Sequence, residues 1–388
     1  MTIDDQGYVT WAEGADAEAF AKAALAYAEN NKISAVQSKE ADSAKVEFTG
    51  LNLGYYLIDT TLGTLCSLDT TRPTVEMYEK NEAPPVEKEV QEDSTGNWGE
   101  ENTAEIGDTV NFKTTITAQK GAQSYILHDK MSAGLTLNAD SIKVQVGGTD
   151  LDTGNYTIAA AGLNDGCTFE IRFAQNYLDT ITDDTEIVVT YNAVLNENAE
   201  IYDVPNTNET MLKYGDDSRD ETTWKETKTY SYKVDIVKTD AENTILDGAE
   251  FRLYDAEEDG KEIPVVRASE GVYRLAKDGE KGDVIQTKDG QAEIKGLDAD
   301  TTYWLEETKA PDGYNKLEER VEIAVKEANL EATVSSDKWQ EGGVHVVNQT
   351  GSLLPTTGGT GTTALYIAGA ALVIGAGTVL AIRRRRAK

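Results

Sequence analysis

Covalent or metal chemistry needs a nucleophile, a base or a set of ligands, and this sequence holds few candidates. It has two histidines, His128 and His345, and two cysteines, Cys66 and Cys167. A Cys/His hydrolase requires a thiol beside an imidazole. Neither histidine stands next to a cysteine or a serine motif, and each falls near an expected strand. Both read as ordinary strand residues, and no enzyme is expected. The cysteines fall in different expected domains and read as isolated thiols. The run Asp255, Glu257, Asp259 and Gly260 imitates the opening of a calcium loop, but Val266 stands where the closing bidentate glutamate belongs. It reads as an acidic turn, so neither metal nor cofactor is expected.

The segments that must position any site are read from composition and period. At the C-terminus an uncharged apolar run, 364–382, is followed at once by Arg383, Arg384, Arg385 and Arg386. Nineteen helical residues rise about 28 Å, close to the hydrocarbon thickness of a bilayer. The arginines mark the cytoplasmic side, which leaves the rest of the chain outside the cell. Residues 1–382 carry 31 basic and 69 acidic side chains, a net charge of −38. Such an excess excludes nucleic acid and anionic membrane as partners and describes a soluble, self-repelling exterior. Met1 to Thr10 has neither a basic start nor an apolar run, so a truncated beginning is expected for an exported chain.

Between these ends the pattern is mostly β. Asp16 to Lys32 is alanine-rich, with Phe20, Ala23, Ala24 and Tyr27 at helical spacing and Asp16 placed to cap. Beyond it, runs such as Val46, Phe48, Tyr56, Ile58 and Val110, Phe112, Ile116 alternate with polar residues. Gly, Asn and Asp punctuate these runs at sandwich-like intervals. Composition breaks at Asn81 to Pro85 (NEAPP) and at Tyr214 to Lys225 divide the chain. The expected architecture is mainly β. A small α/β N-terminal module (1–82) precedes two immunoglobulin-like sandwiches (83–225 and 226–350), a linker (351–363), a transmembrane helix (364–382) and a basic tail (383–388).

Leu354, Pro355, Thr356, Thr357 and Gly358 spell LPTTG just before the span and the arginines. Motif, span and basic tail in that order resemble the LPxTG cell-wall sorting signal. The resemblance implies that a sortase cuts between Thr357 and Gly358 and passes the threonyl group to an amine. The preceding module opens with VDIVKTD (Val234 to Asp240) and LDGAEFRLY (Leu246 to Tyr254), and it later reads YWLEETKAPDGY (Tyr303 to Tyr314). This is similar to the collagen-adhesin B-type domain of pilins, and the last segment matches the pilin E-box at every specified position.

What that resemblance implies is an intramolecular isopeptide bond between Lys238 and Asn348, promoted by Glu307. The residue types suit the chemistry. A neutral amine attacks a carboxamide, burial favours neutral amines and neutral carboxyls, and a protonated acid can polarise the carbonyl and carry a proton to departing ammonia. Residues from about Pro84 to Gly215 resemble the middle domain of fimbrial backbone subunits (collagen-adhesin A-type). That implies a second bond from Lys88 in PVEKEV, with Asp129 in LHDKMSAGL as the acid. The amide partner is Asn208 or Asn206 in NTNETMLKY.

The first module is similar to the N-terminal pilin domain through LGYYLIDT (Leu53 to Thr60) and VEMYEKN (Val75 to Asn81), which makes Lys80 the lysine that joins subunits. It departs from the family at Thr71, Met77 and Glu79. The reading is a subunit of a sortase-assembled pilus, whose partners are sortase, other pilin subunits, peptidoglycan or its lipid-linked precursor, and host surface proteins. The membrane is a partner only through the C-terminal helix before sorting. The alternative is a monomeric wall-anchored adhesin or spacer.

Overall fold

In the computed structural model the described residues are 83–351, apart from 216–217, 278 and 326–330. Also described are 17–40, 46–52, 54–60, 63–67 and a few positions before residue 17. The expected cap Asp16, the pilin-motif residues around Lys80, the LPTTG segment and the span at 364–382 lie outside the described residues. Among the described residues no helix is long and apolar enough to cross a membrane. The N-terminal part contributes the helix Ala17–Asn30 and the hairpin Tyr56–Thr60 with Gly63–Ser67.

The middle module is a two-sheet sandwich. One sheet runs in the spatial order 149–150, 135–146, 185–195, 109–118, 86–91, 98–99. The facing sheet runs 156–159, 169–173, 126–131, 206–214, 225–230, 101–103. Period-2 burial explains the layering, because in strand Thr109–Ala118 every second residue from Val110 onward points inward and is buried. Val90, Phe112, Ile116, Leu127, Phe169, Ile187 and Leu212 fill the space between the sheets.

Strand Lys225–Tyr230 pairs with Asn206–Tyr214. The middle module therefore reaches Tyr230, and within the polar stretch expected as a boundary the short strand Asp220–Glu221 pairs back onto Lys213 and Tyr214. The C-terminal module begins at Tyr232. Its sheets run 265–269, 272–275, 291–297, 232–239, 344–347 and 262–263, 250–254, 302–309, 321–324. Its first strand, Tyr232–Thr239, lies parallel and adjacent to its last, Val344–Val347.

The two sandwiches touch. Ile106 donates its backbone N–H to Gly296 O at 2.9 Å, and Gly296 has φ +87°. A Cβ there would lie 2.6 Å from Ile106 Cδ1, so no larger residue fits. Across the same contact Tyr303 OH donates to Glu105 Oε2 at 2.8 Å and Ser94 Oγ donates to Asp300 Oδ2 at 2.7 Å.

Acids crowd this seam. Burial, opposed by the Tyr303 hydrogen bond and reinforced by Asp108, Asp298 and Asp93, pushes Glu105 up to about 7. Burial first, then Glu92, Asp298 and Asp108, pushes Asp93 up to about 6. The folded state thus holds protons that an unfolded chain has already released above about pH 4.5. The sign follows: the seam's contribution is fully present below that pH and is lost as pH rises through 6 to 7. A tandem of the two modules should melt higher at pH 5.5 than at pH 8. Glu105→Gln should flatten the difference, and an unchanged pH profile would exclude Glu105 as its source.

Candidate functional site

The C-terminal module buries an amine, an acid and an amide together. Lys238 and Asn348 are 0% exposed and Glu307 is 1% exposed, which removes all three from the solvent that usually surrounds such residues. Lys238 lies opposite Val346 in the parallel pair, and its Nζ donates to Val346 O at 2.9 Å. Asn348 follows two residues later and is anchored by its N–H to Thr239 O at 3.0 Å.

Glu307 enters from the facing sheet on strand Thr302–Lys309. Its Oε1 stands 3.8 Å from Lys238 Nζ, while its Oε2 accepts from Asn348 Nδ2 at 2.8 Å and from Leu317 N at 2.8 Å. Asn348 Nδ2 also donates to Asn315 O at 2.5 Å. Burial, partly offset by Glu307, holds Lys238 down to about 8. Roughly one such amine in ten is neutral at pH 7. His345 is pushed down to about 4, first by burial and then by the Lys238 charge. It is a neutral ring held by Thr239 Oγ1 at 2.7 Å and stacked on Trp339 at 3.8 Å between centroids, a structural role.

The middle module builds the same trio with different topology. Lys88 comes from one sheet (strand Val86–Gln91), and Asp129 and Asn208 come from the other (strands Ile126–Met131 and Asn206–Tyr214). Lys88 Nζ donates to Asp129 Oδ2 at 2.7 Å, with both side chains fully enclosed. Desolvation lowers the Lys88 pKa and raises that of Asp129, each opposed by the other's charge, so burial drives the pair towards the neutral amine and neutral acid.

Tyr191 joins them, a residue that sequence reasoning missed. Its hydroxyl contacts Lys88 Nζ, donates to Asp129 Oδ2 and accepts from Asn208 Nδ2 at 3.2 Å. In the sequence it is one more inward-phase residue of strand Thr185–Leu195, indistinguishable from core.

Asn206 and Asn208 differ in occupation. The Asn206 amide accepts from Glu200 N and donates to Glu200 O and Thr229 O, which fastens a turn. Asn208 faces the Lys88 and Asp129 cluster, and its Oδ1 is buried without a partner. The pattern repeats in the other module, where Asn348 Oδ1 is buried without a hydrogen bond and Glu307 Oε1 has only the Lys238 ion pair at 3.8 Å, while Asp129 Oδ1 is likewise buried without a hydrogen bond. In each trio the amide carbonyl and one acid oxygen lack a donor. Leaving such groups unpaired costs about 1–3 kcal/mol each. A hydrogen-bond donor to the carbonyl is what polarising it for attack requires.

Cys167 and His128, 39 positions apart in the sequence, meet in the structure with Sγ 3.6 Å from Nδ1. This is no hydrolase dyad. Burial first, then Asp165, pushes the thiol up to about 12. Asp165 contacts the same ring nitrogen, whereas His128 Nε2 is buried without a partner, so nothing orients the ring from its far side.

Residues 232–339 match the SpaA prealbumin-like fold domain, and residues 346–388 match the LPXTG cell wall anchor motif. The chain is a wall-anchored surface protein of the Gram-positive kind. In fold it resembles major pilins of Gram-positive bacteria. A C-terminal fragment of a major pilin of Streptococcus agalactiae superposes with TM-score 0.50 at 22% identity, over 69% of this chain and 100% of that one. The full-length major pilin RrgB of Streptococcus pneumoniae gives 0.52 at 16% identity, over 74% and 78%. The major pilin SpaA of Corynebacterium diphtheriae gives 0.50 at 17%, over 78% and 81%. No curated protein matches the chain. The matching family and these neighbours are structural pilin proteins and not enzymes.

Proposed function

We propose that this chain is a backbone subunit of a sortase-assembled pilus, hardened by two intramolecular isopeptide bonds, Lys238 to Asn348 and Lys88 to Asn208. The observation that carries the reading is the doubled trio of buried lysine, acid and asparagine, with the amide carbonyl unpartnered in both modules. In each, the neutral amine attacks the amide carbon, the acid donates to the carbonyl oxygen and then carries a proton to the departing nitrogen, and one ammonia leaves. Glu307 and Asp129 hold the acid role. Tyr191 positions the middle trio. The Asn206 amide fastens the turn at Glu200 and takes no part.

The LPTTG segment with its following apolar run and arginines supports Thr357 as the acyl group that a sortase transfers. The accepting amine is Lys80 of another subunit during polymerisation, or the peptidoglycan precursor at the end of assembly. The departures at Thr71, Met77 and Glu79 favour, as second reading, a wall-anchored spacer that is not polymerised. Tryptic digestion of wall polymers separates the two. A branched peptide joining Thr357 to Lys80, lost with the high-molecular-weight ladder in Lys80→Ala, is the expected outcome. Abundant protein attached to the wall as monomer, with no such branch, would favour the spacer.

A further inference from the structure

We propose that the outer face of the middle module carries a binding site for a zinc-class transition metal ion, built from His128, Asp165 and Cys167, with Glu170 beside the ring and solvent free to complete the coordination. Neighbours along a strand point to opposite faces, so His128 projects away from the interior that Asp129 occupies. It is nevertheless 3% exposed, because the loop carrying Asp165 and Cys167 folds over it. Glu170 lies directly opposite His128 in the neighbouring strand.

Three further donor atoms converge on His128 Nδ1: Asp165 Oδ2 at 3.0 Å, Glu170 Oε1 at 3.5 Å and Cys167 Sγ at 3.6 Å. The ligand atoms of His128, Asp165 and Cys167 all lie within 4.8 Å of one another. The ring nitrogen and the thiol offer at most one hydrogen each, so hydrogen bonding leaves at least one of the three contacts on Nδ1 without a hydrogen, whereas a single ion engages nitrogen, oxygen and sulfur at once. Ligands held at zinc's usual N, O and S distances and at tetrahedral angles stand roughly 3.4–3.6 Å apart, which the separations of Asp165 Oδ2 and Cys167 Sγ from His128 Nδ1, 3.0 and 3.6 Å, approach.

The donor chemistry selects the metal. An imidazole nitrogen and a sulfur suit zinc and its neighbours and do not suit calcium or magnesium, which want six or more oxygens. Outer contacts already orient the two carboxylates. Cys167 N donates to Asp165 Oδ1 at 3.1 Å, and Arg172 Nη2 donates to Glu170 Oε2 at 2.7 Å, leaving Asp165 Oδ2 and Glu170 Oε1 turned to the ring. Asp165 is 38% exposed, which gives an ion a route from solvent. On binding, the thiol becomes a thiolate, a metal–sulfur bond forms and one proton is released to water. The ion would tie the loop to the sheet, a covalent-like fastening separate from the Lys88 trio.

Cobalt(II) titration of the full chain tests this. One equivalent should produce the near-ultraviolet thiolate-to-cobalt band and the intense visible bands of a tetrahedral ion, and zinc should displace it. Cys66→Ser should leave the spectrum unchanged, whereas Cys167→Ser should remove the thiolate band. Asp165→Asn, on the exposed loop and with the circular dichroism of the folded chain retained, should weaken zinc binding roughly tenfold or more. No thiolate band in the folded chain, a band that survives Cys167→Ser, or affinity unaffected by Asp165→Asn would each overturn the proposal.

Discussion

Glu307→Gln should leave the C-terminal module folded but without its Lys238–Asn348 bond, and its melting temperature should fall by about 20 °C or more. The sandwich does not need the acid for packing, since its core is Val234, Ile236, Phe251, Tyr303 and Ile294, and glutamine keeps the volume of the side chain. What glutamine lacks is a transferable proton. Lys238 and Asn348 lie 110 positions apart. A covalent closure of that length removes on the order of 4.7 kcal/mol of unfolded-state freedom, less any strain in the bond. For a module near a hundred residues each kcal/mol corresponds to about 4–8 °C. Lys238→Ala and Asn348→Ala should fall by similar amounts. A Glu307→Gln module that melts with the native one would remove Glu307 from the chemistry.

In the middle module the comparable loss should follow Asp129→Asn, since Lys88 and Asn208 close a loop of similar length between two sheets. Here a second effect adds to the first. Without its acid, the fully buried Lys88 amine faces Phe112 and Tyr191 rings and no carboxylate. Breaking a buried ion pair from one side costs about 3–5 kcal/mol when the other partner stays charged. The drop should therefore exceed that of Glu307→Gln, where the buried Lys238 amine keeps its hydrogen bond to Val346 O and loses only a 3.8 Å ion pair, and Asp129→Asn should unfold more as pH falls and Lys88 takes up its proton. Tyr191→Phe separates positioning from chemistry. It should slow bond formation after refolding while the final yield of the bond stays high. An Asn206→Ala variant should keep the bond and lose only the turn at Glu200. If Asn206→Ala loses the bond and Asn208→Ala keeps it, the amide assignment is reversed.

Some of this was legible in the residues and some was not. The inward phase of Val110, Phe112 and Ile116 is a local property and reads directly as a half-buried strand. Val234 to Asp240 and the Tyr303 to Tyr314 segment carry the resemblance that implies Lys238 and Glu307, and the structure brings those two side chains to 3.8 Å. Tyr191 could not be found this way, because an inward tyrosine in a strand looks like any other core aromatic until its hydroxyl meets the Lys88 trio. Nor could the choice between Asn206 and Asn208, both inward at period 2, be made without seeing that Glu200 and Thr229 occupy one of them.

Non-local contacts leave no local pattern in the sequence. His128 and Cys167 come together through a strand pairing and a loop that no spacing rule encodes. The acidic seam of Glu105, Asp108 and Asp298 is likewise assembled from two modules. Residues 226–230 read as past the boundary because polar, turn-forming residues precede them. Pairing with the Asn208 strand outweighs that local signal.

The most direct test of the central claim is the intact mass of the full native chain, measured after denaturation so that no non-covalent contact contributes. Two Lys–Asn bonds release two molecules of ammonia, so the chain should weigh about 34 Da less than its sequence requires. It should lose only about 17 Da in Glu307→Gln or in Asp129→Asn. A native chain at its full sequence mass would contradict the account, leaving both trios as buried ion pairs with no covalent role.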